Sequence, residues 1–185
     1  MTSIVRQFCA IVFATLLAGA AVAEWGATEV SSDLNGDGYS ETFTLIDTGE
    51  GTVNLQITGT GGPWIIANNI AWKGGPGQEP MLELAPNGSV RLISMNEAIG
   101  RNRWFQTLTI AYRNGAYRVA GFTYSWYDTL NLEDTGECDL NLLNGRGFLT
   151  VNEVKRSVRT TQSALPVTDW TDVTPIPDVC GLNDY

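Results

Sequence analysis

The sequence contains no histidine, which excludes Ser-His and Cys-His catalysis, His-metal sites and the usual neutral-pH proton shuttle. Cations are also scarce, with eleven Lys and Arg against twenty Asp and Glu and a net charge of −9. Each neutralised phosphate needs a Lys or Arg, so nucleic acid and anionic membranes are poor partners. No G-x-S-x-G elbow, P-loop or dinucleotide fingerprint supplies a nucleophile or cofactor site. What is present suffices for a folded core, since 43% of the 185 residues are hydrophobic and only 17% are charged. The length argues for a single domain.

Apolar runs are short. The longest, from Phe8 through Ala18, follows a single Arg6 and ends in Ala21-Val22-Ala23. It falls short of the roughly 20 residues needed to span a bilayer and has the layout of a secretory signal peptide over residues 1–23. No Cys stands at the expected cleavage point, which disfavours lipid anchoring. The expected mature chain has no membrane span and is periplasmic or secreted. It keeps ten cations against twenty anions, and it keeps Cys138 and Cys180 of the three cysteines. No C-x-x-C redox pair is present, and without histidine nothing generates a thiolate, so an oxidising compartment predicts a Cys138–Cys180 disulfide.

Beyond residue 42 the pattern is β-branched or alternating runs punctuated by Gly, Pro and Asn, with no sustained 3.6-residue period. It predicts strands over 42–47, 52–59, 64–72, 81–85, 89–95, 103–112, 116–127, 138–143, 148–152 and 154–160. The fold class is all-β: an antiparallel sandwich or partly closed barrel over 24–165, followed by a proline-containing tail over 166–185. This tail is expected to lie over the surface, tied by Cys180. Asn87-Gly88, Asn114-Gly115 and Asn144-Gly145 supply the positive φ values that tight hairpins demand. The Asn114-Gly115 turn sets Arg113 against Ala116 and Tyr112 against Tyr117. An unbroken register would then put Trp104, Leu108 and Ile110 on one face and Phe122, Tyr124 and Trp126 on the other.

The most informative stretch is Asp33-Leu34-Asn35-Gly36-Asp37-Gly38-Tyr39-Ser40-Glu41. Oxygen side chains recur at the first, third, fifth and ninth positions, glycine at the sixth permits a sharp turn, and Tyr39 offers its backbone carbonyl. A hard cation such as Ca²⁺ takes six to eight oxygens in such a loop. An EF-hand would place a bidentate Glu at the twelfth position, where Thr44 stands, and would continue as a helix. Residues 42–46 read as strand instead. The stretch resembles the DxNxDGxxD calcium loops of integrin-type FG-GAP and VCBS repeat proteins, which feed directly into a β-strand. The resemblance covers nine residues and occurs once. It implies Asp33, Asn35, Asp37 and Glu41 as side-chain ligands, Tyr39 as a carbonyl ligand, and a bound Ca²⁺ in a structural role. Glu41 stands where the pattern prefers Asp, which lengthens the reach.

Six Trp, six Tyr and six Phe serve either as core or as a platform for a glycan or protein ligand, and exposure of Trp64, Trp72 and Trp126 would favour the platform. Glu79, Glu83, Glu97, Asp128, Glu133 and Glu137 supply enough carboxylates for glycoside hydrolysis, but no spacing selects a pair. Arg101 and Arg103 flank Trp104 as either an anion contact or salt-bridged surface. Together these features favour a calcium-stabilised binding or envelope-associated module that is not an enzyme, the alternative being a small glycoside-active enzyme.

Overall fold

Short alternating segments can bury one face only by packing against another sheet. The computed structural model of the protein, which describes residues 27–60 and 64–182, achieves this with two antiparallel meanders. The signal peptide expected over 1–23 lies outside the described residues. Strands β1 (Glu29–Ser32), β2 (Glu41–Asp47), β3 (Thr52–Thr58) and β4 (Ile65–Trp72) form a four-stranded sheet in sequence order. Strands β5 (Met81–Leu84), β6 (Val90–Asn96), β7 (Asn102–Arg113), β8 (Ala116–Asp128), β9 (Thr135–Asn141), β10 (Arg146–Val151) and β11 (Val154–Arg159) form a seven-stranded sheet, also in sequence order. The sheets do not close into a barrel. No helix among the described residues is long and apolar enough to cross a membrane.

Alternation places Phe43 and Leu45 of β2, Val53, Leu55 and Ile57 of β3, and Val90 and Leu92 of β6 in the shared core. Each such side chain contributes about 1.5–3 kcal/mol on burial. One seam between the sheets is closed by hydrogen bonds, Leu82 N–H donating to the Ala27 carbonyl (2.7 Å) and Ser32 Oγ to the Gly88 carbonyl (2.7 Å).

The expected strands recur with small shifts of their ends, and β1 is an addition. Its Glu-Val-Ser-Ser sequence is short and half-polar, and only pairing with β2 makes it a strand. The Asn114-Gly115 turn, with φ values of 53° and 76°, sets Arg113 against Ala116 and Tyr112 against Tyr117 as expected. The face assignment beyond it is corrected. Thr109 pairs with Gly121 and Ile110 with Val119, so Ala120 is an extra residue in β8. This bulge reverses the phase, as one inserted residue must in a two-residue repeat. Phe122 therefore faces the same way as Leu108, and Trp126 the same way as Trp104.

The tail does not lie over the surface. Arg118 pairs with Pro166, and Val119 N–H donates to the Leu165 carbonyl (2.9 Å). Asp172 N–H then reaches the Asn69 carbonyl on β4 (2.8 Å). In between, Val167 and Trp170 enter the core, and Cys180 and Leu182 follow them. The Cys138–Cys180 disulfide forms, with Cα atoms 5.5 Å apart and a sequence separation of 42. Closing a loop of that length is worth about 4 kcal/mol in the chain-entropy picture.

The two-residue turn between β10 and β11 places Asn152 at φ 48° and Glu153 at φ 65°. Asn tolerates the left-handed region, whereas Glu pays about 1–2 kcal/mol there, partly offset by the larger entropy a Gly would lose on folding. Glu153→Gly is therefore expected to stabilise the protein by about 0.5–1 kcal/mol, raising Tm by about 1–4 °C. A thermal scan showing a lower Tm would contradict this account of the turn.

Candidate functional site

The loop between β1 and β2 is shaped by its own short side chains. Asp33 Oδ1 accepts hydrogen bonds from the N–H groups of Gly36 (2.8 Å) and Asp37 (3.1 Å), and Oδ2 accepts from Gly38 (2.9 Å). Asn35 Oδ1 accepts from Asp37 N–H (2.8 Å), and Asp37 Oδ1 from Tyr39 N–H (2.8 Å). Such local bonds are what Asp and Asn offer in place of a strand ladder. Gly36 and Gly38 sit at φ 76° and 91°, which turns the chain sharply and lets successive oxygens converge. The loop then runs directly into β2, of which Glu41 is the first residue.

Glu41 is the decisive residue. Its side chain points inward from the strand and is only 4% exposed. It accepts a hydrogen bond from Leu34 N–H (2.8 Å), and no Lys or Arg among the described residues lies within ion-pair distance of it. Carboxylate oxygens of Asp33, Asp37 and Glu41 lie within 4.8 Å of one another. A buried carboxylate beside two others is costly unless a cation compensates it.

Tyr117 closes the inner side of the site. Burial and then the Glu41 carboxylate push its phenol above the usual tyrosine range, with Asn35 acting in the opposite direction. It is thus a neutral hydroxyl beside the carboxylate. Asn35, Asp37, Tyr39, Glu41 and Tyr117 line a cavity of about 10 Å³, the size of a single water or monatomic ion. Four of the five residues expected as ligands thus meet at one small cavity, and Asp33 joins them through the convergence of its carboxylate with those of Asp37 and Glu41. Tyr117 comes from β8, far along the chain, and nothing in the nine-residue motif announces it.

The aromatic residues form a separate feature on the inner face of the larger sheet. Trp72 leans on Trp104 (ring centroids 5.5 Å apart), Trp104 stacks on Tyr124 (5.9 Å), and Tyr124 stacks on Phe122 (6.2 Å). Tyr124 also meets Trp126 (6.4 Å), and burial pushes its phenol up to about 12. Trp126 is 7% exposed, and its indole lies across Gly136 of β9. Of the three tryptophans singled out from the sequence, Trp64 is 72% exposed, Trp72 half-buried and Trp126 buried. Trp64 and Trp72 stand at opposite ends of β4, so the three do not make one platform. Trp104, Tyr124 and Trp126 do line a shared cavity of about 300 Å³, rimmed by Asn96 and Asn102.

Three of the six carboxylates considered for hydrolysis are engaged by other side chains. Glu83 pairs with Arg91 (2.8 Å), and Glu97 accepts from Tyr127 Oη (2.9 Å). Asp128 pairs with Arg101, so Arg101 takes the salt-bridged role. No carboxylate is among the described residues lining the aromatic cavity. Comparison of the chain with protein-family models, curated proteins and solved structures finds no significant match.

A methyl group at Gly136 would strike the Trp126 ring and come within 2.6 Å of the Thr150 carbonyl, so Gly136→Ala should destabilise by about 1–3 kcal/mol. It should also shift the tryptophan emission spectrum, and unchanged Tm and emission would show that the indole does not rest there. The Arg101 guanidinium, then the Leu130 N–H, hold the Asp128 carboxyl below its ordinary value of 3.8. A depressed pKa contributes stability that is fully present above about pH 4 and is lost as pH falls through the folded-state value. Asp128→Asn should therefore flatten the acid limb of Tm against pH below about pH 4. Parallel acid limbs for the two proteins would refute the pairing.

Proposed function

We propose that the protein is a periplasmic or secreted β-sandwich binding module whose β1–β2 loop takes a structural Ca²⁺. The reading of the loop is carried by one observation, the buried Glu41 carboxylate facing Asp33 and Asp37 without a protein cation. All the contributing side-chain groups are oxygens, which suits a hard cation and disfavours softer metals. In this reading Asp33, Asn35, Asp37 and Glu41 donate side-chain oxygens and Tyr39 its carbonyl, as the resemblance to FG-GAP and VCBS loops implies. The ion offsets the mutual repulsion of three carboxylates and pins the entry to β2. Tyr117 ties that entry to the opposite sheet, so the metal stabilises the sandwich as a whole.

The role is structural because the cavity holds one small species and leaves no volume for an organic substrate beside it. Binding of a protein or glycan ligand then falls to the outer surfaces of the sandwich. Export is supported by the leader-like N-terminus and is consistent with the Cys138–Cys180 disulfide.

Thermal unfolding of the mature protein tests the calcium reading. A ligand at one hundred times its Kd stabilises by about 2.7 kcal/mol, so saturating Ca²⁺ after EDTA treatment should raise Tm by about 5–10 °C. Glu41→Gln should remove most of that rise and reduce the difference between the calcium and EDTA scans. Identical scans of the wild-type protein in EDTA and in 10 mM Ca²⁺, about a saturating level for a weak extracellular site, would overturn the proposal.

A further inference from the structure

The chain's few cations are unevenly placed. Four of the eleven, Arg146, Lys155, Arg156 and Arg159, fall within residues 146–159, where Glu153 is the only acid. Elsewhere Lys73, Arg91 and Arg101 are ion-paired to Asp47, Glu83 and Asp128. Arg113 and Arg118 donate to backbone carbonyls. The four cations of the β10–β11 hairpin have no carboxylate partner among the described residues.

Register makes this more than a compositional cluster. Arg146 of β10 and Arg159 of β11 are direct cross-strand partners, and both are exposed. Like charges directly opposite each other destabilise a sheet. Strand alternation puts Phe148 and Ser157 on the same outer face, one step along, and Lys155 with Thr150 one step further. Lys155 Nζ lies 4.3 Å from the centroid of the Phe148 ring, which is 45% exposed. A groove of about 570 Å³ runs beside the arginine pair, with Asn141, Asn144, Phe148 and Ser157 also in its lining.

Edge protection accounts for part of this pattern. β11 is the terminal strand of the larger sheet, and Lys and Arg on an edge discourage pairing with another chain. That explanation covers Lys155 and Arg156. It does not cover Arg146, which lies on the penultimate strand directly opposite Arg159.

We propose that the outer face of β10–β11 is a binding site for an anionic oligosaccharide. Arg146 and Arg159 would clasp one carboxylate or sulfate. A sugar ring would rest on Phe148, with Asn141 and Ser157 offering hydrogen bonds to hydroxyls. Lys155, whose ammonium lies against the Phe148 ring, would meet a second acidic group beyond that ring. Arginine forks suit planar anions bidentately, and an aromatic ring between cations suits a cyclic sugar better than a bare phosphate. The acidic row Glu137 and Asp139 on β9, facing Thr150 and Phe148, steers the ligand along the outer two strands. The chain's net negative charge does not forbid this, because charges beyond about 8 Å are largely screened at physiological ionic strength. The site deepens the binding-module reading and rests on it, while being independent of the calcium loop.

The test is calorimetric titration of the mature protein at low and moderate salt. The probes are a hexasaccharide of alternating glucuronate and N-acetylglucosamine, a sulfated hexasaccharide, neutral chitohexaose, and a hexapeptide carrying three glutamates. At least one anionic sugar is expected to bind, more weakly as salt rises, with chitohexaose and the peptide at least ten-fold weaker. The Arg146→Gln/Arg159→Gln double variant should lose at least ten-fold in affinity. Its Tm should not fall, since a repulsive pair has been removed, and its calcium-dependent Tm rise should match the wild-type one. Arg156→Gln, off the outer face, should stay within two-fold of wild type. No binding of either anionic hexasaccharide at millimolar concentration would overturn the proposal, and so would equal binding of the glutamate peptide or an unaffected double variant. A wild-type Tm indifferent to calcium would count against the loop alone, so the two failures are distinguishable.

Discussion

The fold depends on covering a seven-stranded sheet with a four-stranded one. The buried face of a sheet must be covered by another layer, and four strands do not cover the inner face of seven. The C-terminal segment makes up the difference. It continues the smaller layer past β4 through the Asp172–Asn69 hydrogen bond and delivers Val167 and Trp170 onto the inner face of the larger sheet, where Trp170 meets Phe122. Cys138, on the inner face of β9, is then bonded to Cys180. The disulfide is thus a fastening for the third part of the core, and the prolines that keep the segment out of a regular strand let it cross the layer irregularly.

The strands and the Asn114-Gly115 turn were legible because their signals are local, whereas at Asn87-Gly88 and Asn144-Gly145, in loops longer than two residues, only the glycine takes a positive φ. Asn-Gly pairs demand particular φ values, and alternation requires only neighbours, so ten strands and the register at Asn114-Gly115 follow from short windows. The bulge at Ala120 is different, because a single residue decides it and nothing in Arg118-Val119-Ala120-Gly121 marks which one is unpaired. Its consequence is large. With Phe122, Tyr124 and Trp126 moved to the inner face, the aromatics become a continuous ladder with Trp104 and Trp72. Reading the hairpin without the bulge splits that ladder across two faces. The tail misled for a related reason, since proline spacing reports on backbone pairing and is silent about where Trp170 goes.

At the β1–β2 loop the spacing of short acidic side chains through a glycine turn brings carboxylate oxygens of Asp33, Asp37 and Glu41 within 4.8 Å of one another. What the motif could not contain was the environment. The burial of Glu41 and the approach of Tyr117 come from packing of β2 against β8, where Phe43 meets Tyr117, and they leave a buried carboxylate with no Lys or Arg of the described residues within ion-pair distance. Asp33 and Asp37 are satisfied by backbone N–H groups in the manner of many exposed turns. Glu41 differs because solvent has been removed from it, and desolvation is what makes an unpaired carboxylate costly.

The two sites share a logic that whole-chain composition conceals. A net charge of −9 invites the inference that the surface repels anions everywhere, yet Coulomb interactions in salt water are local. Had the cations been distributed to neutralise carboxylates, Glu41 would have had a partner and the β10–β11 hairpin would have had few charges to spare. Instead, three acidic groups converge at one loop, and four cations without a carboxylate partner among the described residues share one hairpin. Each cluster carries an electrostatic cost that an ion of the opposite sign would offset, which is what the two proposals share: a compact cation for the loop and an extended anion for the hairpin.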